Sequence, residues 1–313
     1  MKESINYAYN LNVENLEDFS FYYRFKINGQ EFYFVPFNRS EEELKDLIEC
    51  SRELKIRGIE CHDFILNRNN LVVTKVGDQN FILLRVIGEA KKEFYISDIV
   101  ELNNKLVLTS NKSKLYRNNW AQLWSEKVDY FEYQIRELGK EKIGVLNSFS
   151  YYIGLAENAI CYVNKTNASL TPSDLDRVTL SHRRFFYPNI KLNYLNPLSF
   201  IFDLEVRDVA EYVKILYFYG EEEEAFAELE LFFKLRRLSS YGYQMLFARL
   251  LYPSYYFDVY EKVMSNECSE DQLIPIVTKV DKYEEFLSSV LGLVSKYAVI
   301  EPIDWINKKR VIS

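Results

Sequence analysis

The stretch that decides the fold is residues 178–211, VTLSHRRFFYPNIKLNYLNPLSFIFDLEVRDVAE. Its apolar runs predict two short strands, around residues 179–180 and 199–202, on either side of a polar and basic segment. A helix is predicted to follow at about residues 206–219 and to end at Gly220. Working outward from this stretch, the chain divides into a strand-rich first third and a mainly helical remainder.

The first third is rich in aromatic residues and predicts strands. Residues 19–26 (FSFYYRFK) and 31–37 (EFYFVPF) flank Asn28-Gly29, a pair typical of a tight hairpin turn. Ser40 followed by three glutamates predicts the start of a helix, and Gly58 predicts its end. Further strands are predicted at residues 63–66, 71–75 and 80–87. On pattern alone this is an α+β unit.

From Gly88 onward the apolar spacing is mainly helical. We therefore expect residues 1–88 to form a small lobe and residues 89–313 to form a larger helical lobe, within one domain overall. Besides the helix already named, helices are predicted at about residues 119–138, 149–163, 241–251, 255–264 and 282–296, and the acidic residues 221–224 are predicted to begin another.

The composition excludes several classes of protein. A hydrophobic fraction of 48% and a charged fraction of 27% are those of a folded chain, and a net charge of −7 argues against a general nucleic-acid binder. No apolar run approaches the roughly 18 residues that a membrane span needs, and the first residues do not resemble a signal peptide, so we expect synthesis and folding in the cytoplasm. The scattered thiols predict reduced core cysteines rather than a zinc site: Cys50, Cys61, Cys161 and Cys268.

Four segments carry a resemblance to a known family: YYIGLAENAICYV, TLSHRRF, FIFDLEVRDVAEYVKILYFYG and YGYQMLFARLLYPSYYF. Through them the chain resembles the CotS/YutH-type spore coat proteins, a branch of the aminoglycoside-phosphotransferase/choline-kinase-like proteins, over roughly residues 32–263. The resemblance implies an α+β, two-lobed protein-kinase-like fold. Its small antiparallel-sheet N-terminal lobe would carry one main helix, and its larger C-terminal lobe would be mostly helical. It also implies association with the spore coat and with other coat proteins.

The same resemblance assigns roles to the opening stretch. In aminoglycoside phosphotransferases this segment reads His-Gly-Asp-Leu-His-Pro-Gly-Asn-Ile, followed by Ile-Asp-Trp/Phe-Glu and a helix opened by Asp. Arg183 and Arg184 replace the glycine and the catalytic base, and a guanidinium that stays protonated cannot accept a proton. The resemblance therefore implies no catalytic residue, only a vestigial loop. That loop comprises His182, Arg183, Arg184, Asn189, Asp203, Glu205 and Asp208.

Each vestigial residue has a structural interpretation beside the functional one. Asn189 and Asp203 lie where Mg²⁺ ligands would lie if Mg-ATP were bound; otherwise Asn189 caps a turn and Asp203 is a buried hydrogen-bond acceptor. Arg183 and Arg184 could pair with Asp203 or Glu205 and close the site, or bind an anion. His182 is expected to hold the loop through hydrogen bonds. The acid at 208 is expected to cap its helix in either interpretation.

The phosphate-binding parts of a kinase are weak in this sequence. The turn after Lys26 has the single glycine Gly29, where close approach of backbone to phosphate usually needs several. The strand at residues 32–37 contains no lysine and is interrupted by Pro36, so an acid on the first helix, such as Glu43, would have no strand lysine to pair with.

These observations favour a catalytically inactive kinase-like protein with a structural or assembly role in the spore coat. No cofactor is then expected. Two alternatives stay open: a nucleotide-binding regulatory protein, and an active small-molecule phosphotransferase with a rearranged site. Both alternatives require Mg-ATP to bind.

Overall fold

The first third of the chain forms a six-stranded antiparallel sheet with the order β1-β2-β3-β6-β4, to which β5 adds by pairing with β6. The Asn28-Gly29 turn joins β2 to β3, and both residues have positive φ, 48° and 79°, which confirms the predicted hairpin. The strands are β1 Glu17–Asp18, β2 Tyr23–Ile27, β3 Gln30–Pro36, β4 Asp63–Ile65, β5 Val73–Val76 and β6 Gln79–Arg85.

An N-terminal helix that the sequence did not predict, α1 (Lys2–Tyr9), packs on this sheet. Ile5, Tyr9 and Val13 are buried in one cluster with strand residues that include Phe34, and the Tyr9 hydroxyl is 2.8 Å from Oγ1 of Thr74. Covering an apolar sheet face in this way is what stabilises so short a helix, because isolated helices of this length are marginal in water.

The helix predicted after Ser40 is confirmed as α2 (Glu41–Ile56). Ser40 Oγ accepts from the backbone N of Glu43, and the Glu43 carboxylate accepts from the backbone N of Ser40, which is a complete capping box. The helix buries Leu44, Leu47 and Leu54.

Helices make up most of the remaining chain, together with two strands, β7 (Val178–His182) and β8 (Phe200–Leu204), that pair as a separate two-stranded sheet. α7 has the predicted bounds, whereas α5 extends six residues beyond the predicted 149–163 at each end, and α3 was not predicted. The helices are α3 Ile96–Lys105, α4 Trp120–Leu138, α5 Ile143–Ser169, α6 Ile190–Tyr194, α7 Val206–Tyr219, α8 Glu222–Leu235, α9 Ser240–Leu251, α10 Ser254–Met264, α11 Ile274–Val277 and α12 Val280–Val294.

The computed structural model describes residues 1–19, 22–88, 93–107, 113–117, 119–185, 190–220, 222–301, 303 and 305–306. Two compact units are present. The first consists of Met1–Phe94, Thr109–Tyr116 and His182–Phe202; the second consists of Tyr95–Leu108, Arg117–Ser181 and Asp203–Ser313. Neither unit is a single stretch of chain, and the division into lobes at residue 88 stays a prediction.

The burial of the four cysteines agrees only partly with the prediction that they are core thiols. Cys50 and Cys61 are buried, as predicted for core thiols, but Cys161 is exposed and Cys268 is half-buried. Cys161 lies on the solvent side of α5, so the expectation of a core position is wrong there. In the part of the chain that the structure describes, no helix has both the length and the apolar character that crossing a membrane requires.

Candidate functional site

His182, at the end of β7, is buried, and its side chain contacts the part of the chain that follows it. Its Nε2 donates to the backbone carbonyl of Tyr194 at 2.8 Å, since a carbonyl oxygen can only accept. The imidazole stacks on the ring of Tyr194, with 4.3 Å between centroids, and meets the edge of Phe200 at 5.3 Å. The imidazole therefore fixes the position of Tyr194, the last residue of α6, within the first unit.

Arg39, which the sequence analysis did not single out, holds the end of the same segment. Its Nη1 donates to the carbonyls of Leu198 and Phe200 at 3.1 and 3.0 Å, just before and at the start of β8. Its Nη2 lies 3.2 Å from the Glu43 carboxylate, and the Arg39 side chain is only 5% exposed. The cation that pairs with Glu43 thus follows β3 instead of lying on it. An arginine just before an N-cap, four residues ahead of an acid, is the signal that could have identified it.

The second histidine, His62, contacts this segment as well. Its backbone N donates to the Leu195 carbonyl at 2.9 Å, and its ring Nδ1 accepts from the backbone N of Ile87 at 3.1 Å. The edge of the ring faces Tyr33. Burial lowers the pKa of His62 to about 4, and the Leu192 carbonyl, which faces the ring, offsets a smaller part of that shift.

The two arginines at the degenerate base position lie after β7. The backbone N of Arg183 donates to the Ser199 carbonyl at 2.8 Å, and the Arg183 side chain is exposed. Arg184 is half-buried, and its Nη1 donates to the Arg183 carbonyl at 3.2 Å. Their pairing with Asp203 or Glu205 stays a prediction. Asn189, the other metal position implied by the resemblance, lies outside the described residues.

Asp203, on β8 in the second unit, is completely buried. Trp120 Nε1 lies 2.9 Å from both carboxylate oxygens, Leu204 N donates to Oδ1 at 2.8 Å, and Arg207 Nη1 donates to Oδ2 at 2.7 Å. Burial raises the pKa of Asp203, and the charges of Arg207 and Arg249 oppose that shift.

These contacts bear directly on a magnesium ion at Asp203. Mg²⁺ binds oxygen ligands at about 2.1 Å in a strict octahedral geometry. Both oxygens of this carboxylate already accept hydrogen bonds from Trp120, Leu204 and Arg207, and the side chain has no exposed surface. The residues present therefore do not fit a metal ion at this carboxylate unless these donors move away. Among the described residues, no group of three or more His, Cys, Asp and Glu side chains could hold a metal.

The residues around Asp203 continue into a buried network between α7 and α9. The guanidinium of Arg249 lies over the ring of Trp120 at 4.7 Å, and its Nε donates to Glu211 Oε1 at 3.0 Å. Lys214 Nζ donates to the same carboxylate oxygen at 3.0 Å and to Ser254 Oγ at 2.6 Å. Burial lowers the pKa of Lys214 to about 8. Sequence reasoning missed this network, whose signal is a set of charged residues, Glu211, Lys214 and Arg249, within helices that are mostly buried.

Glu205 has a separate set of partners. It is 1% exposed, and its two oxygens accept from Arg177 Nη2 at 2.7 Å and from Arg236 Nη2 and Nε at 2.8 and 3.1 Å. Asp208 is buried in the first turn of α7, where a negative charge is favourable. In the second unit, then, Asp203 and Glu205 are each tied to different arginines, and neither Arg177 nor Arg236 was singled out from the sequence.

Comparison with known protein families gives a match along nearly the whole chain. The family model described as "Spore coat putative kinase YutH" matches residues 2–290. The chain is also similar to the endospore coat-associated protein YutH of Bacillus subtilis (strain 168), at 24% identity over an alignment of 341 positions, gaps included, that covers 98% of each protein.

Solved structures with the same fold are small-molecule kinases. An aminoglycoside phosphotransferase from Alicyclobacillus acidocaldarius matches with a TM-score of 0.63 at 12% identity, covering 95% of this chain and 97% of that one. A microcompartment-associated aminopropanol kinase matches at 0.55 and 10% identity, covering 94% and 97%. A spectinomycin phosphotransferase solved with ADP and spectinomycin matches at 0.54 and 13% identity, covering 90% and 91%. At such low identities these likenesses concern the fold alone, and they confirm the predicted protein-kinase-like class.

Proposed function

The chain belongs to the YutH family of spore coat proteins, and from that premise we propose that it is a coat-associated protein whose kinase-like fold serves assembly instead of phosphoryl transfer. The coat assignment is supported by the family and by the name of the Bacillus subtilis relative. The absence of phosphoryl transfer is argued from the residues of this chain.

The main support for the proposal is that both carboxylate oxygens of Asp203 already accept hydrogen bonds within the protein. A carboxylate that binds magnesium has to present its oxygens to the ion and to the phosphates that the ion bridges. Here the oxygens face a tryptophan N–H, a backbone N–H and a guanidinium, all within the protein. The side chain then acts as an internal acceptor that joins β8 to α4 and α7.

Two further features support the same conclusion. Arg184 occupies the position of the catalytic base, and a permanently protonated guanidinium cannot deprotonate an acceptor hydroxyl. β3 offers no lysine for the phosphates, and Glu43, on the first helix after that strand, is paired with Arg39. The base position is thus occupied by an arginine, the metal-ligand carboxylate is engaged by donors within the protein, and β3 has no phosphate-binding lysine.

Thermal unfolding with and without millimolar Mg-ATP tests the loss of nucleotide binding. A ligand at 100 times its Kd stabilises a protein by about 2.7 kcal/mol, which corresponds to a rise in Tm of roughly 4 °C for a chain of 313 residues. We expect no rise for the natural chain, and none for Asp203→Asn as the matched control. A rise that Asp203→Asn abolishes would overturn the proposal in favour of a nucleotide-binding regulator. Formation of ADP and of a phosphorylated small-molecule acceptor, accompanying that rise, would indicate a phosphotransferase.

Localisation tests the coat role independently. A fluorescent fusion expressed in sporulating Bacillus subtilis that lacks its own YutH is expected to concentrate around the developing spore, with the fluorescent protein alone as the control. Diffuse fluorescence throughout sporulation would contradict the coat assignment, whatever the result with nucleotide.

A further inference from the structure

A groove of about 620 Å³ runs between α4 and α5 in the second unit. Val128 and Ile160 contribute apolar surface to it, and the small side chains of Cys161 and Ala168 leave space along α5. The lining residues of α5 recur at three- and four-residue spacing from Glu157 onward, which places them on one face of the helix. That face is about 16 Å long at the helical rise per residue, enough for roughly five residues of extended chain.

The edges of this groove are negatively charged. Asp129 lies on the α4 side and Glu157 on the α5 side, and both are exposed. Within the described ranges, neither carboxylate takes part in an ion pair. The lining also includes Lys165, whose Nζ lies 3.9 Å from a carboxylate oxygen of Glu301 and is therefore already partnered. The groove thus combines an apolar floor with two carboxylates that form no ion pair with any residue the structure describes.

We propose that the α4–α5 groove binds a basic, amphipathic segment of a partner protein. Two lysine or arginine side chains would face Asp129 and Glu157, and an apolar side chain between them would rest on Val128 and Ile160. A purely apolar partner would desolvate both carboxylates without compensation, and an acidic one would be repelled. A polar basic partner would leave the apolar floor in water. The proposal concerns a surface, and it does not rest on the coat assignment or on the state of Asp203.

A peptide-binding experiment with the full chain tests the proposal. The probe is a fluorescein-labelled Lys-Ser-Leu-Ser-Lys peptide, whose two lysines and leucine share one face when extended, compared by anisotropy with Lys-Ser-Ser-Ser-Lys and Glu-Ser-Leu-Ser-Glu. We expect only the basic amphipathic peptide to bind, with affinity that falls as salt is raised. Cys161 lines the groove and provides a second readout. Its alkylation by iodoacetamide should slow in proportion to the bound fraction, whereas that of Cys268, outside the groove, should not change.

Two double variants with the same change in net charge locate the binding. Asp129→Asn combined with Glu157→Gln is expected to raise the Kd about tenfold, since two exposed ion pairs with the peptide are lost. Glu49→Gln combined with Glu60→Gln, both exposed and outside the groove, is expected to leave the Kd within about twofold. Equal binding of the acidic peptide, an unchanged Kd in the groove variant, or peptide binding that leaves Cys161 alkylation unaltered would each overturn the proposal.

Discussion

Acidification is expected to destabilise the protein through His62, and replacing this residue with glutamine should remove that part of the pH dependence. In the folded protein the ring is buried, its Nδ1 accepts a hydrogen bond from the backbone N of Ile87, and burial lowers its pKa to about 4. A proton on Nδ1 would abolish that acceptor. The folded state therefore resists protonation, while the unfolded chain accepts the proton near the ordinary pKa of 6.5.

The magnitude follows from the two pKa values. Between pH 6.5 and pH 4 the unfolded chain binds a proton that the folded chain does not bind, so the free energy of unfolding falls as the pH falls. A difference of about 2.5 pKa units at 1.36 kcal/mol each gives a total loss of about 3 kcal/mol, of which about 2 kcal/mol is lost by pH 5. Above pH 6.5 the contribution of this group to stability is fully present.

Urea unfolding at pH 7.5 and pH 5 measures this effect. His62→Gln is expected to be less stable than the natural chain at pH 7.5, and the gap should shrink by about 2 kcal/mol at pH 5, because the variant has no imidazole to titrate. The chain has only two histidines, so nuclear magnetic resonance can follow the ring of His62 directly and assign it from the variant. A gap that is constant with pH, or a ring that titrates near pH 6.5 in the folded protein, would refute the reasoning.

Four substitutions test other parts of the structure by urea or thermal unfolding. Trp120→Phe removes both the N–H that donates to Asp203 and part of a buried ring, and should cost at least about 1.5–3 kcal/mol; a neutral result would mean that the buried carboxylate does not need this donor. Ser40→Ala removes the helix cap of α2 and should cost about 1 kcal/mol, and an unchanged Tm would contradict the capping box. Gly154→Ala, inside α5 with open space around the added Cβ, should stabilise by up to about 1 kcal/mol. Gly29→Ala, at φ +79°, should destabilise, so the two glycine variants serve as controls for each other.

The elements predicted well from the sequence are those specified by adjacent residues. Asn28-Gly29 determines its turn because both residues tolerate positive φ, and Ser40 starts its helix because its hydroxyl reaches Glu43 N. α1 was missed for the opposite reason. Its apolar residues Ile5 and Tyr9 find their partners on strands far along the chain, so nothing near them in the sequence indicates a helix.

For the candidate site, too, the sequence predicts some features and misses those that depend on contacts between distant residues. The sequence identifies Asp203 as the residue to examine and leaves open whether it binds metal or accepts buried hydrogen bonds. The contacts with Trp120 and Arg207 depend on how α4 and α7 pack, and a one-dimensional pattern does not contain that information. Arg236 was missed because an arginine in a polar stretch looks the same whether it is solvated or bound to a buried acceptor.

Arg39 and His62 donate hydrogen bonds to backbone carbonyls within residues 195–200, and these bonds affect the order in which the chain can fold. Both lie in the first quarter of the sequence, yet the carbonyls that they bind belong to residues made more than a hundred positions later. During synthesis, the first unit therefore cannot be completed when its sheet has emerged from the ribosome, and its final contacts wait for β8. For the same reason, a fragment that ends after β6 lacks the acceptors for a nearly buried guanidinium, and it would be an incomplete folding unit.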